Sequence, residues 1–116
     1  MIITQGSLVA DVPRALDAER FETLANMPGT RIERIVSTGQ TTPDGEWYDQ
    51  GWDEWVMVVT GSAKLQIEGE PSPRDLTPGG WLLLPRRVRH RVVWTDPNTP
   101  TVWLAIHSEE SPGCTE

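Results

Sequence analysis

The chain has 116 residues and a mass of 13.0 kDa, which is enough for one hydrophobic core and too little for two. Its net charge of −7 and pI near 4.7 argue against a nucleic-acid-binding protein, which needs a cationic surface. No apolar run approaches the roughly 18–20 residues of a membrane span, and the N-terminus lacks the pattern of a secretory signal. Because the only cysteine is Cys114, no internal disulfide can form, and we expect a cytoplasmic protein.

The first element predicted along the chain is a short helix over residues 13–25, where a loose apolar stripe follows a proline. From residue 31 onward, short alternating segments are separated by Gly/Pro turns. We expect strands over residues 31–36, 54–59, 63–68, 81–84, 90–94 and 101–107. This spacing predicts one all-β domain, a sandwich or barrel, with an N-terminal arm over 1–30, the barrel over 31–107 and a flexible tail over 108–116.

The strand that begins at Glu54 is apolar on both faces. If Glu54 points inward, Val56 and Val58 do so as well, whereas Trp55 and Met57 point to the other face. The predicted helix would cover only part of this second apolar face. We therefore expect a homodimer, in which a second subunit covers the rest.

An acid and a histidine stand at the ends of two apolar segments. Glu54 opens a β-branched strand that ends at the turn glycine Gly61. The strand over 81–84 is closed by a turn at Pro85, which leads to His90. If the two strands are neighbours, Glu54 and His90 face each other across one pocket.

These residues resemble the two motifs of the cupin superfamily of small jelly-roll barrels. The first motif ends in a glutamate, six residues and a glycine, as Glu54 and Gly61 do. The second motif is Gly-x5-Pro-x-Gly-x2-His-x3-Asn, and its glycine, proline and histidine are matched by Gly79, Pro85 and His90. The residues around 47–56 and 90–105 are further similar to small single-domain bacterial RmlC-like cupins without an assigned reaction. The resemblance implies a jelly-roll (double-stranded β-helix) fold, whereas the superfamily includes isomerases, dioxygenases, lyases, epimerases and binding proteins.

The resemblance also implies a site of three histidines and one glutamate for Fe, Ni, Mn or Zn, and this chain departs from it. Depending on the alignment, the two histidine positions before the glutamate hold Tyr48 and Gln50, or Trp47 and Asp49. In the second motif, Arg87 replaces the glycine and Trp94 the asparagine. Glu54 and His90 remain from the ligand set.

Three interpretations of the remaining pair stay open. A divalent transition metal could be held by Gln50, Glu54 and His90, although an amide is a poor ligand for these metals. His90 could instead form a structural hydrogen bond with Glu54. The two could also be a metal-free acid/base pair, with Tyr48 as a second acid, which would suit an isomerase or epimerase.

We expect a pocket lined by Trp47, Tyr48, Asp49, Gln50, Glu54, His90 and Trp94. Trp94 is included because two-residue alternation places it on the same face as His90. Around His90 lie Arg86, Arg87, Arg89 and Arg91, which form either a solvated edge or a cationic rim for an anionic small molecule. Alternation turns Arg89 and Arg91 away from His90, so at most Arg86 or Arg87 reaches the pocket.

Three functions follow as hypotheses. The first is a small-molecule-binding cupin with a depleted metal site, and the second is a metal-dependent dioxygenase, lyase or isomerase that uses Glu54 and His90. The third is a structural dimer whose pocket is filled. His107 is expected at the barrel rim, and Cys114 has no sequence neighbour that would activate its thiol.

Overall fold

In residues 1–109, which the computed structural model describes, the chain forms eight β-strands and no helix. The strands are β1 (Arg20–Met27), β2 (Thr30–Ser37), β3 (Asp53–Thr60), β4 (Ala63–Ile67), β5 (Arg74–Leu76), β6 (Trp81–Leu84), β7 (His90–Thr95) and β8 (Thr101–Ser108). They build a five-stranded sheet in the order β1-β2-β8-β3-β6 and a three-stranded sheet in the order β5-β4-β7. The predicted all-β fold class is confirmed. None of the described residues belongs to a helix that could cross a membrane.

Six of the eight strands agree with the predicted ones to within one residue at each end. Their clear two-residue alternation and their Gly/Pro turns made them visible in the sequence. β5 was not predicted, because three residues are too few to show a period. The first two residues of the predicted tail belong to the sheet region. Ser108 ends β8, and the Glu109 amide donates to the Gly29 carbonyl at 2.7 Å. The rest of the tail, including Cys114, lies outside the described residues.

The helix predicted over residues 13–25 is wrong. The second half of this segment forms β1, which pairs antiparallel with β2 along its length. Pro28 and Gly29 connect the two strands in a tight turn, and Gly29 has the left-handed φ of 70° that such a turn requires of its second residue. Pairing with β2 satisfies the backbone of β1, while Phe21 remains half exposed, so the loose apolar stripe does not mark a buried helix face.

Arg34 holds the N-terminal arm against the outer face of β2. Its guanidinium donates to the carbonyls of Leu8 and Ala10 at 3.2 and 2.7 Å. It also donates to both carboxylate oxygens of Glu22 on β1 at 2.6 and 3.0 Å. These last hydrogen bonds hold the pKa of the Glu22 carboxyl below its usual value. The arm therefore packs on the sheet through a buried arginine rather than through a helix.

The apolar core lies between the two sheets and consists of Ile35, Val56, Val58, Ala63, Leu65, Leu76, Leu84, Trp103 and Ala105. The chain passes from one sheet to the other at Gly61, where φ is 84°. A Cβ at this position would lie 2.6 Å from the Thr101 Cα, so the close approach of β8 requires glycine here.

The face of β3 and β6 that points away from the core is apolar. Trp55 and Trp81 stack on it with ring centroids 5.9 Å apart. Trp81 and Leu83 are 57% and 58% exposed, and β6 is the last strand of its sheet. The homodimer expected from this face stays a prediction.

Candidate functional site

Glu54 and His90 meet in one cavity between the sheets. The strands that carry the two motifs, β3 and β6, are neighbours, and Glu54 pairs in register with Leu84. The turn after β6 leads to His90, which opens β7 in the other sheet. Both side chains are buried, and His90 Nε2 lies 3.8 Å from Glu54 Oε1.

Hydrogen bonding defines the tautomer of neutral His90. Its Nδ1 lies 3.0 Å from the carbonyl oxygen of Val88, and because a carbonyl only accepts, Nδ1 carries the proton. Nε2 makes no hydrogen bond within residues 1–109, since 3.8 Å to Glu54 is too long. The structural hydrogen bond considered between these two side chains is therefore not formed. His90 presents an unused nitrogen lone pair beside Glu54.

Gln50 positions the Glu54 carboxylate. The Gln50 side-chain amide donates to Glu54 Oε1 at 3.0 Å. The backbone carbonyl of Gln50 accepts a 2.7 Å hydrogen bond from the backbone N–H of Arg87. Arg87 has a φ of 67°, the left-handed conformation that explains why the cupin motif favours glycine at this position. The turn after β6 thus fixes Gln50 and, through it, Glu54.

Tyr48 covers one face of His90. The two rings stack with centroids 5.4 Å apart, and the two backbones exchange hydrogen bonds of 2.8 and 3.1 Å. Burial raises the pKa of the Tyr48 phenol, and the negative charges of Glu19 and Glu54 raise it further. The phenol therefore stays protonated and can donate a hydrogen bond.

His107 also lines this cavity, although the sequence suggested a position at the rim. It is 4% exposed and pairs in register with Glu54 on β3. The Trp52 indole N–H donates to its Nδ1 at 2.9 Å, and its Nε2 lies 3.1 Å from Glu33 Oε1. Because an indole N–H can only donate, Nδ1 is the acceptor and Nε2–H donates to Glu33. Both ring nitrogens of His107 are thus engaged by the protein.

Glu19 reaches the cavity from the segment that precedes β1. The Ser37 hydroxyl donates to one of its carboxylate oxygens, and Ser37 Oγ accepts from the Trp103 indole at 3.1 Å. Burial raises the pKa of the Glu19 carboxyl, an effect that the Ser37 hydrogen bond opposes in part.

The cavity has a volume of about 190 Å³. Its polar lining consists of Glu19, Arg31, Glu33, Tyr48, Gln50, Glu54, His90 and His107. Its apolar lining consists of Phe21, Ile35, Val56, Leu65, Leu84, Val92 and Trp103. Apart from the two imidazoles and the phenol, the ionisable groups are three carboxyl groups and one guanidinium. The Nε of that guanidinium, on Arg31, is buried and has no hydrogen-bond partner within residues 1–109, with Glu33 Oε2 3.9 Å away.

Trp94, expected in the pocket, lies outside its lining. Along the β4–β7 pair, Lys64 lies opposite Trp94 and Leu65 opposite Val92, so Val93 is an extra residue in a β-bulge. The bulge breaks the two-residue alternation and turns Trp94 away from the face of His90. The Lys64 ammonium instead lies 6.0 Å from the centre of the Trp94 ring.

Trp47 and Asp49, which the alternative alignment selects, also lie outside the cavity lining. Arg89 and Arg91 stack on the Trp47 ring at 5.6 and 5.8 Å. Asp49 lies 3.5 Å from the Arg87 guanidinium. The ungapped alignment, which selects Tyr48 and Gln50, therefore agrees with the residues that line the cavity.

The four arginines around His90 form ion pairs with acids outside the cavity. The pairs are Arg86–Asp53, Arg87–Asp49, Arg89–Glu68 and Arg91–Asp44, with distances of 2.9 to 3.5 Å. None of the four belongs to the cavity lining. The guanidinium that lines the cavity is instead that of Arg31.

The residues present do not fit the metal site that the resemblance implies. Within residues 1–109, no cluster of three or more His, Cys, Asp or Glu side chains has a metal-binding arrangement. Glu54 and His90 are two strong donors, but the Gln50 amide adds a weak one and already donates to Glu54. His107 is no substitute, because both of its nitrogens are engaged.

The sequence contained a signal for part of the lining that we did not predict. On β2, Arg31 and Glu33 lie in two-residue phase with the core residue Ile35, and on β8, His107 lies in phase with Trp103. Charged residues on a core-facing phase indicate a polar cavity. Glu19 had no such signal, because it lies in the segment predicted as a helix.

Two sheets that enclose Glu54 and His90 in this way are typical of a cupin. The family profile described as "Cupin domain" matches residues 34–107, which is more than half of the chain, and the chain belongs to this family. The predicted superfamily and jelly-roll fold are confirmed.

Among solved structures, the chain is similar to a Ralstonia eutropha JMP134 protein whose name provisionally assigns it as a mannose-6-phosphate isomerase. The two share 51% identity over 93% of this chain and 100% of that one, with a TM-score of 0.90. An RmlC-like cupin from Methanocaldococcus jannaschii is 17% identical, with a TM-score of 0.65 over 85% of this chain and 87% of that one. A cupin superfamily protein from Desulfitobacterium hafniense DCB-2 is 15% identical, with a TM-score of 0.72 over 91% and 92%. No functionally curated protein matches the chain.

Proposed function

We propose that this cupin binds a small polyhydroxylated molecule, of about the size of a monosaccharide, through Glu54 and His90 and without a transition metal. The observation that carries the proposal is the pair of acceptor atoms, His90 Nε2 and Glu54 Oε1, which lie 3.8 Å apart in the cavity. Glu54 Oε1 accepts one hydrogen bond from Gln50 and can accept another, whereas His90 Nε2 has no donor among the described residues. Adjacent hydroxyl groups on one ligand supply a donor to each.

The rest of the cavity supports a small and partly polar ligand. Its volume of about 190 Å³ lies below the roughly 300 Å³ at which drug-sized sites begin. The Tyr48 phenol offers a donor, while Ile35, Val56 and Trp103 offer apolar contact to ligand carbon atoms. Although small, a cavity of about 190 Å³ is not filled by side chains, which argues against the hypothesis of a filled pocket.

Titration calorimetry with D-mannose and D-fructose tests the proposal, on protein treated with a chelator and checked for metal by elemental analysis. Cyclohexanol, a ring with a single hydroxyl, is the control ligand. We expect the sugars to bind, cyclohexanol to bind more weakly, and Glu54→Gln to lower the affinity for the sugars about tenfold or more. Glu68→Gln changes an exposed carboxylate that pairs with Arg89 and is the matched control. Sugar binding that requires a stoichiometric metal would overturn the proposal, and so would the absence of any sugar binding.

A second candidate is a sugar isomerase, favoured by the name of the 51% identical relative. An aldose becomes a ketose when a base removes the C2 proton and the C1 carbonyl oxygen gains a proton, giving an enediol. The enediol is then protonated at C1 while its C2 hydroxyl loses a proton and becomes the ketone carbonyl. Glu54 or His90 could accept the C2 proton, and the Tyr48 phenol could donate to the carbonyl. Arg31, whose buried Nε has no hydrogen-bond partner in the described part of the chain, could contact an anionic group such as a phosphate.

Deuterium incorporation separates an isomerase from a binding protein. D-mannose 6-phosphate is incubated with the enzyme in D2O, and proton NMR follows the C2 signal and the appearance of D-fructose 6-phosphate. An isomerase acting by proton transfer produces the ketose, with deuterium at C2 of the recovered aldose or at C1 of the product. Loss of turnover in His90→Gln and Glu54→Gln would assign the activity to this site. Binding without any turnover would leave the protein a binding cupin.

A further inference from the structure

We propose that Glu19, which lies outside the part of the chain that matches the cupin profile, contacts the ligand and donates a hydrogen bond to one of its acceptor oxygens. The cupin profile begins at residue 34, whereas Glu19 precedes β1. This inference rests on the proposed function and adds the residue that would recognise a carbonyl or ring oxygen.

The position of Glu19 gives it access to a ligand. One carboxylate oxygen accepts the hydrogen bond from Ser37, and the other has no protein donor within residues 1–109. Glu19 lines the cavity of Glu54 and His90 and also a second cavity of about 370 Å³ beside it. Phe21 and Tyr48 line both cavities as well, so Glu19 is part of the wall that the two share.

The Ser37 contact holds this carboxyl in place. Ser37 is fully buried and accepts from the Trp103 indole, so its own hydroxyl proton is directed to Glu19. A chain of hydrogen bonds from a core tryptophan to a cavity-lining acid leaves one defined oxygen for the cavity. Fixed side chains of this kind reduce the entropy lost when a ligand binds.

A protonated Glu19 adds a second hydrogen-bond donor to a site in which the Tyr48 phenol already offers one. Glu54 Oε1 and His90 Nε2 are acceptors, and the Gln50 amide already donates to Glu54. A sugar carries hydroxyl donors but also a carbonyl or ring oxygen, which needs a donor from the protein. Burial raises the pKa of the Glu19 carboxyl and thereby favours the neutral acid, which has an O–H to give.

Other titratable or charged groups face the same two cavities and must be separated from Glu19 in any pH experiment. In the first cavity they are Arg31, Glu33, Tyr48, Glu54, His90 and His107. In the second they are Asp17 and Tyr48. The variant Glu19→Gln isolates the contribution of Glu19, because an amide keeps a donor and an acceptor but does not titrate in this range.

The experiment measures the dissociation constant of D-mannose from mildly acidic to mildly alkaline pH for the wild type, Glu19→Gln, Glu19→Ala and the control Asp17→Asn. We expect wild-type binding to weaken as the pH rises through the pKa of Glu19. Glu19→Gln should retain binding and lose that part of the pH dependence. Glu19→Ala should bind about tenfold more weakly or worse at acidic pH, and Asp17→Asn should follow the wild type.

Two results would overturn the inference while the proposed function stands. One is Glu19→Ala binding D-mannose as tightly as the wild type at acidic pH, and the other is Glu19→Gln keeping the wild-type pH profile. If Glu19→Ala fails to fold, as judged by circular dichroism, the pH profile of Glu19→Gln decides. A wild type that binds no sugar at any pH would instead overturn the proposed function, and this inference with it.

Discussion

His90 and His107 lie in the walls of the same cavity and are equally buried, yet the protein uses their rings differently. Both nitrogens of His107 are engaged, by the Trp52 indole and by Glu33. His90 uses Nδ1 on the Val88 carbonyl and leaves Nε2 without a hydrogen bond in the described part of the chain. Burial and cavity lining therefore do not distinguish the two, whereas an account of each hydrogen bond does. His107 holds the wall together, and His90 has an atom left for a ligand.

The comparison of the two histidines predicts that His107→Ala has the largest effect, a loss of stability. The substitution leaves the Trp52 N–H and the Glu33 carboxylate without their partner in a buried wall, so the free energy of unfolding should fall by about 2–4 kcal/mol. His90→Ala should cost less, about 1–2 kcal/mol, because it removes one hydrogen bond and the stacking with Tyr48. Urea denaturation of both variants measures the difference. Equal losses would contradict the division of roles.

The second effect concerns binding and should fall on His90. His90→Ala removes one of the two acceptors, and we expect the affinity for D-mannose to drop about tenfold, or about 1.4 kcal/mol. Trp94→Phe is the control, because its side chain lies outside the cavity lining. If calorimetry shows the wild-type affinity in His90→Ala, the free nitrogen has no part in binding.

Trp52→Phe tests the comparison by leaving His107, like His90, with one ring nitrogen that has no hydrogen-bond partner among the described residues. The phenyl ring has no N–H, so Nδ1 of His107 loses its donor, and we expect a loss of about 1 kcal/mol in stability. Nitrogen NMR of the imidazole should show a changed Nδ1 shift for His107 and an unchanged ring for His90. An unaltered His107 spectrum would mean that the indole hydrogen bond does not define its tautomer.

The smallest expected effect is that of Glu19 on the pH dependence of stability. Its folded pKa is raised above the ordinary 4.5, so the folded chain binds a proton that the unfolded chain releases. The stability this contributes is full below the unfolded pKa and is lost as the pH rises through the folded pKa. Relative to Glu19→Gln, the wild type should therefore lose stability between acidic and neutral pH. Thermal melts of both proteins across this range measure the sign of the stability difference. If the melting temperatures of the two proteins change in parallel with pH, the Glu19 carboxyl does not have a raised pKa.

Much of the site could be predicted where local pattern and spatial position coincide. Glu54 and His90 were found because motif spacing places Glu54 at the start of β3 and His90 after the turn that follows β6, and β3 and β6 are neighbours. Tyr48 and Gln50 are the residues of the ungapped count, one of the two alignments that the sequence left open, and both line the cavity. Trp94 could not be placed correctly, because one bulged residue at Val93 reverses the alternation after it.

The amino-acid sequence by itself determined the all-β class, six of the strands and the pair of cavity residues Glu54 and His90, because two-residue alternation and turn glycines act over a few neighbouring positions. Only the tertiary structure decided that residues 20–27 form a strand and not part of the predicted helix, because pairing with β2 stabilises the strand and local propensity does not. It also decided that Glu19 reaches the cavity and that His107, rather than His90, has both nitrogens occupied. Those outcomes depend on hydrogen bonds between residues as far apart as Glu33 and His107, which no local pattern encodes.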